Sequence, residues 1–480
     1  MTSRKLRMAY FFGTSEISLD PGKIETIFQY EMIRNLYSRL VEYDENGQLV
    51  AGAPISFSWR DDSVTFVFGD KVKTVDGNPI TARDAEVSLK RLIIQGKSGH
   101  GDIRRFLCPD HVLKSVSDSC PGVKVDGNNL VLTVPKAHLL PLLIATLESA
   151  DYSIIPLKSL RQVDGTLSIT DLRNTSGPYF INGNLSSGFF SLQANPHHYR
   201  FHSNMPSEVD IVPVEYYDGL KSLAKGDADL VPTTLAFTGE EAIRIASDSS
   251  FEIHETLPLQ VRLVRFSHKA LENFTPEQRL FAGLLVGQVF KKIAPAFRGQ
   301  QAFQFFQALS DGALDETQAA TIKELHENNN RPAFKHPIKL GVGTRLFKQF
   351  AEALNKFPEI QVIESKVMIA SLPAEQRPDM YILTTDSAWT EDLALLGYNF
   401  KEGLFTLPGF DGESWFNEYL AQEDKAERIR HLNHLHFNML KNASFVVTEV
   451  TPYHAAIRKP WRLNQSNLSA GTELWRLRIN

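Results

Sequence analysis

The stretch Lys73-Thr-Val-Asp76-Gly77-Asn-Pro79-Ile-Thr81-Ala-Arg-Asp84-Ala-Glu-Val-Ser88-Leu-Lys-Arg91 decides how this chain folds. Asp76-Gly77 is a turn pair, because aspartate bonds its own backbone and glycine tolerates positive φ. Pro79 fixes φ and holds the chain extended after the turn. Thr81 stands where a helix N-cap belongs, and Asp84 places a carboxylate in the first turn, where the helix dipole favours it. Residues 81–92 therefore read as a capped helix that follows a turn and an extended segment.

The same alternation of short strands and helices continues on both sides. Residues 6–12 read as a buried strand, followed by a loop through Asp20-Pro21-Gly22. Residues 24–41 carry Ile33, Leu36, Tyr37 and Leu40 at helical spacing. Residues 55–68 alternate as two strands around an Asp61-Asp62 turn, and residues 108–134 as a hairpin turning at Asp126-Gly127-Asn128. Residues 338–342, 344–356 and 360–363 read strand, helix, strand, a βαβ unit that requires a partly parallel sheet. Residues 428–440 form a charged amphipathic helix and residues 444–450 a closing strand. The class is α/β with mixed sheets.

At 480 residues the chain exceeds one ordinary core, so two or three domains are expected. Hydrophobic content of 42% and charged content of 22% are globular values. The net charge of −5 comes from interleaved signs, which excludes the clustered basic footprint that nucleic acid needs. No segment has the roughly 20 apolar residues of a membrane span, and the apolar run at 139–147 contains Pro141. Arg4, Lys5 and Arg7 are not followed by an apolar stretch, so no secretory signal is legible. Cys108 and Cys120 are the two cysteines. They form one small disulfide, which would imply an oxidising compartment, or remain two thiols; the spacing leaves both open.

Catalytic spacings are missing: the sequence has neither a G-x-S-x-G elbow nor an H-E-x-x-H helix. Gly96-Lys97-Ser98 lacks the first glycine of a phosphate loop, with Arg91 in its place. Gly341-Val-Gly343 lacks the third glycine of a dinucleotide turn, with Leu346 there. His431 and His434 share a helical face with His436 nearby, but no carboxylate completes a metal set, and the expectation is a solvated face. The pairs Asp61-Asp62 and Glu240-Glu241 read as a turn and an exposed helix start. No catalytic residue, cofactor or metal is expected.

The opening stretch resembles the F-x-D-G-x-P-[LI]-T-A-x-D-V-x-x-S-x-x-R run of the peptide/nickel-type extracytoplasmic solute-binding proteins (family 5). Asn35-Leu-Tyr-Ser-Arg-Leu-Val41 with Tyr43-Asp44-Glu-Asn-Gly47, then Trp59 and Phe66, Thr175-Ser-Gly177-Pro178-Tyr179, and Leu220 to Leu230 resemble further family segments in the same order. The resemblance implies a two-lobed periplasmic-binding-protein-like fold (class II/cluster C), with an extra domain in the first lobe and mixed sheets. Expected boundaries are 1–44, 166–258 and 450–480 for the first lobe core, 45–165 for the extra domain, and 259–449 for the second lobe. The chain would cross the hinge near 257–266 and 445–453, and ligand would be enclosed as the lobes close. The resemblance also implies a removed leader, a periplasmic or cell-surface location, and permease subunits of an ABC importer as partners.

Residues 20–27 are similar in spacing to a loop of the oligopeptide-binding branch. There the stretch at Glu25, Thr26 and Ile27 lends backbone groups to an extended peptide, as an added strand. Ala388-Trp389-Thr390-Glu391-Asp392 resembles that branch's G-W-x-x-D segment. Asp392 then pairs with a peptide α-amino group, and Trp389 walls a side-chain pocket. As ordinary structure, the same residues would be a surface loop, a core tryptophan and a helix cap. Three departures stand out. Leu393-Ala-Leu-Leu396 replaces the family's Y-x-x-P, and Asp386 stands where some peptide binders carry an arginine for the terminal carboxylate. The helix at 274–283 is loosely kept. The implied function is capture of short peptides for import. The alternative on the same scaffold is a receptor for a nickel chelate, sugar or peptidoglycan fragment, or a sensor; no spacing supports a peptidase.

Overall fold

The computed structural model describes residues 4–12, 18–24, 26–44, 46–95, 102–185, 189–307, 310–367, 369, 372–386, 396–397, 399–400, 403–467 and 470–479. The opening motif folds as its chemistry dictates. Gly77 has φ +78° and its N–H bonds the Thr74 carbonyl at 2.9 Å. Thr81 caps the Ala82–Ile94 helix: its hydroxyl accepts from the Asp84 N–H, and the Asp84 carboxylate accepts from the Thr81 N–H at 2.8 Å. This reciprocal box satisfies two donors that a helix start otherwise leaves orphaned.

The chain forms two compact units. Unit 1 holds residues 1–237, 241–256 and 454–480; unit 2 holds 238–240 and 257–453. Unit 1 is built on a seven-stranded sheet in the order Tyr179–Asn184, Phe189–Ala194, Glu208–Pro213, Lys5–Tyr10, Leu230–Val231, His454–Arg458 and Phe251–Glu255. The Lys5–Tyr10 strand runs parallel to both of its neighbours, with Tyr10 opposite Pro213 and Met8 opposite Leu230. A second, four-stranded antiparallel sheet orders Ser56–Arg60, Ser63–Val67, Asn129–Thr133 and Val123–Asp126. The turn at Asp61 takes φ +55°, as the paired aspartates there suggest.

Unit 2 carries a six-stranded sheet ordered Gln300–Gln301, Phe445–Thr451, Gln260–Phe266, Met380–Asp386, Ile338–Gly343 and Ile360–Ser365. The expected βαβ unit is present: Ile338–Gly343 and Ile360–Ser365 are parallel and joined by the Thr344–Leu354 helix. One face of the sheet packs against the Pro276–Ile293 helix through Val264, Phe266, Ala282, Val286, Met380 and Val446, all buried. Arg279 of that helix is buried and donates to the carbonyls of Leu271, Phe274, Asn442 and Ala443, so one guanidinium closes two helix ends.

Three local expectations need correction. The helix read over 24–41 spans only Ile27–Leu36. Beyond it the Leu36 carbonyl accepts the Gly177 N–H at 2.9 Å, and the Ser38 N–H bonds Ser176 Oγ at 2.9 Å, which pulls the chain out straight. Gly177 has to be glycine, because a Cβ there would sit 2.3 Å from the Leu36 carbonyl carbon. The hairpin read over 108–134 is strand only at Val123–Asp126 and Asn129–Thr133. The preceding loop is closed by a Cys108–Cys120 disulfide, which decides between the two states the sequence left open. Finally, the histidine face is not uniformly solvated. His436 is fully buried, accepts the Phe305 N–H at 2.9 Å and lies 3.0 Å from the Gly312 carbonyl; burial pushes its pKa down to about 3. His431 stacks on Trp415, and only His434 is exposed.

Candidate functional site

In an open sheet with parallel strands, ligands bind beyond the strands' carboxyl ends. In unit 1 those ends belong to Lys5–Tyr10, Glu208–Pro213 and Leu230–Val231. The residues that follow are Phe11 and Phe12, Val214 to Tyr217, and Pro232 to Phe237. They are tied together: the Val214 N–H bonds the Tyr10 carbonyl at 2.9 Å, and the Ala236 N–H bonds the Tyr216 carbonyl at 3.2 Å.

The start of the Ile27–Leu36 helix comes to the same place. The Phe28 ring meets Phe11 edge-on at 5.1 Å and Tyr216 at 6.0 Å, and the Tyr10 hydroxyl donates to the Phe28 carbonyl at 2.6 Å. Tyr216 and Tyr217 are edge-on at 4.7 Å, and Phe12 reaches Phe190 at 6.0 Å. Phe11, Phe12, Tyr216 and Tyr217 are only half-buried, so this end of the sheet presents an aromatic wall.

Thr26 is the N-cap of that helix. Its hydroxyl accepts the Gln29 N–H at 3.3 Å, and Gln29 Oε1 accepts the Thr26 N–H at 3.1 Å. The Thr26 carbonyl accepts the Tyr30 N–H at 3.1 Å. Both Thr26 backbone groups are therefore in use, while Ile27, half-buried, opens the first helical turn. Glu25 lies outside the described residues.

The helix is held by buried charge. Glu31 accepts the Thr472 N–H at 2.8 Å and the Thr234 hydroxyl at 2.6 Å; burial nonetheless pushes its carboxyl up to about 7. Arg34 donates to Glu148 at 2.8 Å and to Glu473 at 3.0 Å. Burial works to raise the Glu473 carboxyl, but Arg34, Arg476, Arg200 and Arg39 outweigh it and hold it down at about 2. Asn35 completes the set, donating to the Thr472 carbonyl and accepting the Leu474 N–H, each at 2.9 Å. Thr26, Ile27 and Phe28 thus sit on a helix fixed from below, the arrangement a binding residue needs to stay in place.

The chain leaves unit 1 at this same end of the sheet. Glu255, the last residue of its strand, and His454, the first of its own, lie opposite each other with His454 Nε2 3.1 Å from Glu255 Oε2. The Phe237 ring stacks on His454 at 4.8 Å. In unit 2 the corresponding end of the sheet carries Gln260 opposite both Asp386 and Thr451, and the Tyr453 hydroxyl donates to Asp386. Asp386 thus closes its strand as a hydrogen-bonded carboxylate. Ala388, Trp389, Thr390 and Asp392 follow directly but lie outside the described residues.

Among the described residues no group of three or more potential ligands could hold a metal ion, and no helix is long and apolar enough to cross a membrane. Phe11, Phe28, Tyr216 and Tyr217 are not among the residues the sequence motifs single out. The aromatic runs Tyr10-Phe-Phe12 and Tyr216-Tyr217, each just past a strand, were the available signal.

No family model matches the sequence. Over 77 residues, 16% of the chain, it is 36% identical to the periplasmic murein peptide-binding protein MppA of Escherichia coli K12, a stretch spanning only 14% of that relative. Whole-chain likeness is structural. The murein tripeptide binding protein MppA of Escherichia coli superposes with a TM-score of 0.76 at 15% identity, over 100% of this chain and 99% of that one. NikA of Staphylococcus aureus in complex with Ni(L-His)2 gives 0.73 at 12% identity, over 99% and 100%. OppA of Haemophilus influenzae in complex with the peptide RPPGFSPFR gives 0.72 at 13% identity, over 100% and 99%. The resemblance read from residues 73–91 thus extends to the whole architecture, and the chain has the two-lobed periplasmic-binding-protein fold of these solute-binding proteins.

Proposed function

We propose that this protein is the extracytoplasmic substrate-binding component of an ABC-type importer and that its cargo is a short peptide. One observation carries the reading. The chain shares its architecture end to end with murein-tripeptide- and oligopeptide-binding proteins, and the 77-residue stretch of 36% identity is to the murein-peptide binder. The protein works as a carrier, handing cargo to permease subunits, and not as a catalyst. The Cys108–Cys120 disulfide supports a location outside the reducing cytoplasm.

Cargo is held at the carboxyl ends of the parallel strands. Ile27 and Glu25 offer main-chain groups to it, and Thr26 holds the cap that orients them. In unit 2 the segment beyond Asp386 supplies Ala388, Trp389, Thr390 and Asp392, with Asp392 pairing the α-amino group and Trp389 walling a side chain. The Tyr453–Asp386 bond favours one variation: a carboxylate stands where a peptide's own terminal carboxylate would be received, so that terminus finds its partner elsewhere or the cargo lacks one.

The test is thermal stabilisation of the purified protein by a library of di- to pentapeptides, with Asp392→Ala alongside. A peptide at 100 times its Kd stabilises by about 2.7 kcal/mol, which is readily seen. Stabilisation that disappears in Asp392→Ala is expected. A library without hits, or hits indifferent to that substitution, refutes the assignment; copurification of a non-peptide solute decides for the other ligand class.

A further inference from the structure

We propose that the wall formed by Phe11, Phe28 and Tyr216 in unit 1 is a specificity surface that selects an apolar or aromatic side chain on the ligand and rejects one bearing a carboxylate. This rests on the peptide-binding reading above and adds to it the class of peptide. Three observations converge.

The first is position. The three rings come from three separate segments, brought together where the Lys5–Tyr10 and Glu208–Pro213 strands end in register. That is the end of a parallel sheet at which ligands are received.

The second is geometry. The rings meet edge-to-face, Phe11 with Phe28 at 78° and Phe28 with Tyr216 at 79°, so each fixes its neighbour. Phe28 is 9% exposed and is further held through its carbonyl by the Tyr10 hydroxyl, whereas Phe11 and Tyr216 keep part of their surface open. Rigid, partly open aromatic surface attracts apolar groups at low entropic cost.

The third is charge. A carboxylate carried against such a wall loses water and needs a cation in exchange. The nearby charges are committed or of the wrong sign. Arg91 is spent on Asp20, and Lys221 pairs Asp218 at 3.1 Å. Glu31 is buried behind the wall on its threonine partners, and Glu215, exposed beside Tyr216, is itself an acid. Lys23 is exposed on the turn ahead of the helix, and among the described residues no arginine or lysine lies over the Phe11 or Phe28 ring.

The experiment measures binding by calorimetry on the full chain, using trialanine and its derivatives with one Phe, Leu, Glu or Lys placed at each position in turn. At one position Phe and Leu should bind at least about tenfold tighter than Glu, the scale of a single side chain in an apolar pocket. Phe11→Ala and Tyr216→Ala should shrink that preference to under about threefold, and Phe11→Leu should retain most of it. Circular dichroism and melting temperature confirm that each variant is folded. Equal binding of Glu and Phe derivatives at every position overturns the inference and leaves the peptide reading standing, as does a preference that survives both alanine variants. Failure of every peptide to bind overturns both.

Discussion

Replacing Glu31 with glutamine isolates the cost of keeping an acid inside unit 1. The carboxyl is fully buried, and its pKa rises from 4.5 to about 7, first because of burial and in spite of hydrogen bonds from Thr234 and Thr472. A raised carboxyl pKa means that between these two values the unfolded chain has released a proton that the folded chain retains. Stability therefore falls as pH rises through that window and is level above it. At 1.36 kcal/mol for each pKa unit, the loss is about 3 kcal/mol. Glutamine stays neutral and keeps both contacts, its oxygen accepting the Thr472 N–H and its amide donating to the Thr234 hydroxyl. Glu31→Gln should thus match the parent within about 1 kcal/mol at pH 5 and exceed it by about 3 kcal/mol at pH 8. Urea denaturation followed by tryptophan fluorescence at the two pH values reads this directly. A gap that fails to widen between pH 5 and pH 8 refutes the reasoning, since no other consequence of the substitution depends on that proton.

Three further variants probe the fold that carries the site. Arg279→Met strips four carbonyls of their donor and should cost about 3–5 kcal/mol in urea denaturation, whereas a cost below 1 kcal/mol would mean that water replaces the guanidinium. The Cys108→Ser, Cys120→Ser double variant opens a loop whose cysteines are 12 residues apart and should lose about 3 kcal/mol; the parent should fall to the same stability in reductant and the variant should not respond. Gly177→Ala drives a methyl group into the Leu36 and Tyr37 backbone and should cost about 3 kcal/mol or abolish folding, seen as a lowered or missing melting transition; an unchanged melt would show that the two segments part freely.

What the sequence made legible was local. The Asp76-Gly77 turn, the Thr81 cap and the βαβ unit each depend on residues a few positions apart, and each appears where the spacing puts it. The aromatic wall was not legible, because Phe11, Phe28 and Tyr216 become neighbours only through the register of strands some 200 residues apart in sequence. His436 misled for a related reason. Its helix is charged along much of its length, and only the packing of the Phe305–Gly312 segment makes that one histidine interior. The end of the helix at Leu36 was set by Ser176 and Gly177, which no periodicity within the helix could reveal. For the second half of the candidate site, Asp386 and its partner Tyr453 are placed, while the tryptophan and aspartate singled out at 389 and 392 lie beyond the described residues.

The bonds that tie Glu31, Arg34 and Asn35 to Thr472, Glu473 and Leu474 bear on the order in which the protein assembles. A ribosome makes the helix at 27–36 more than 430 residues before the residues that satisfy its buried polar groups. Unit 2, nearly all of whose chain is continuous from Leu257 to Tyr453, has everything it needs before those partners exist. Unit 1 has to wait, with its interior acids and arginines still hydrated, until residues 454–476 return to it. A nascent chain in that condition stays pliable for almost the whole of its synthesis.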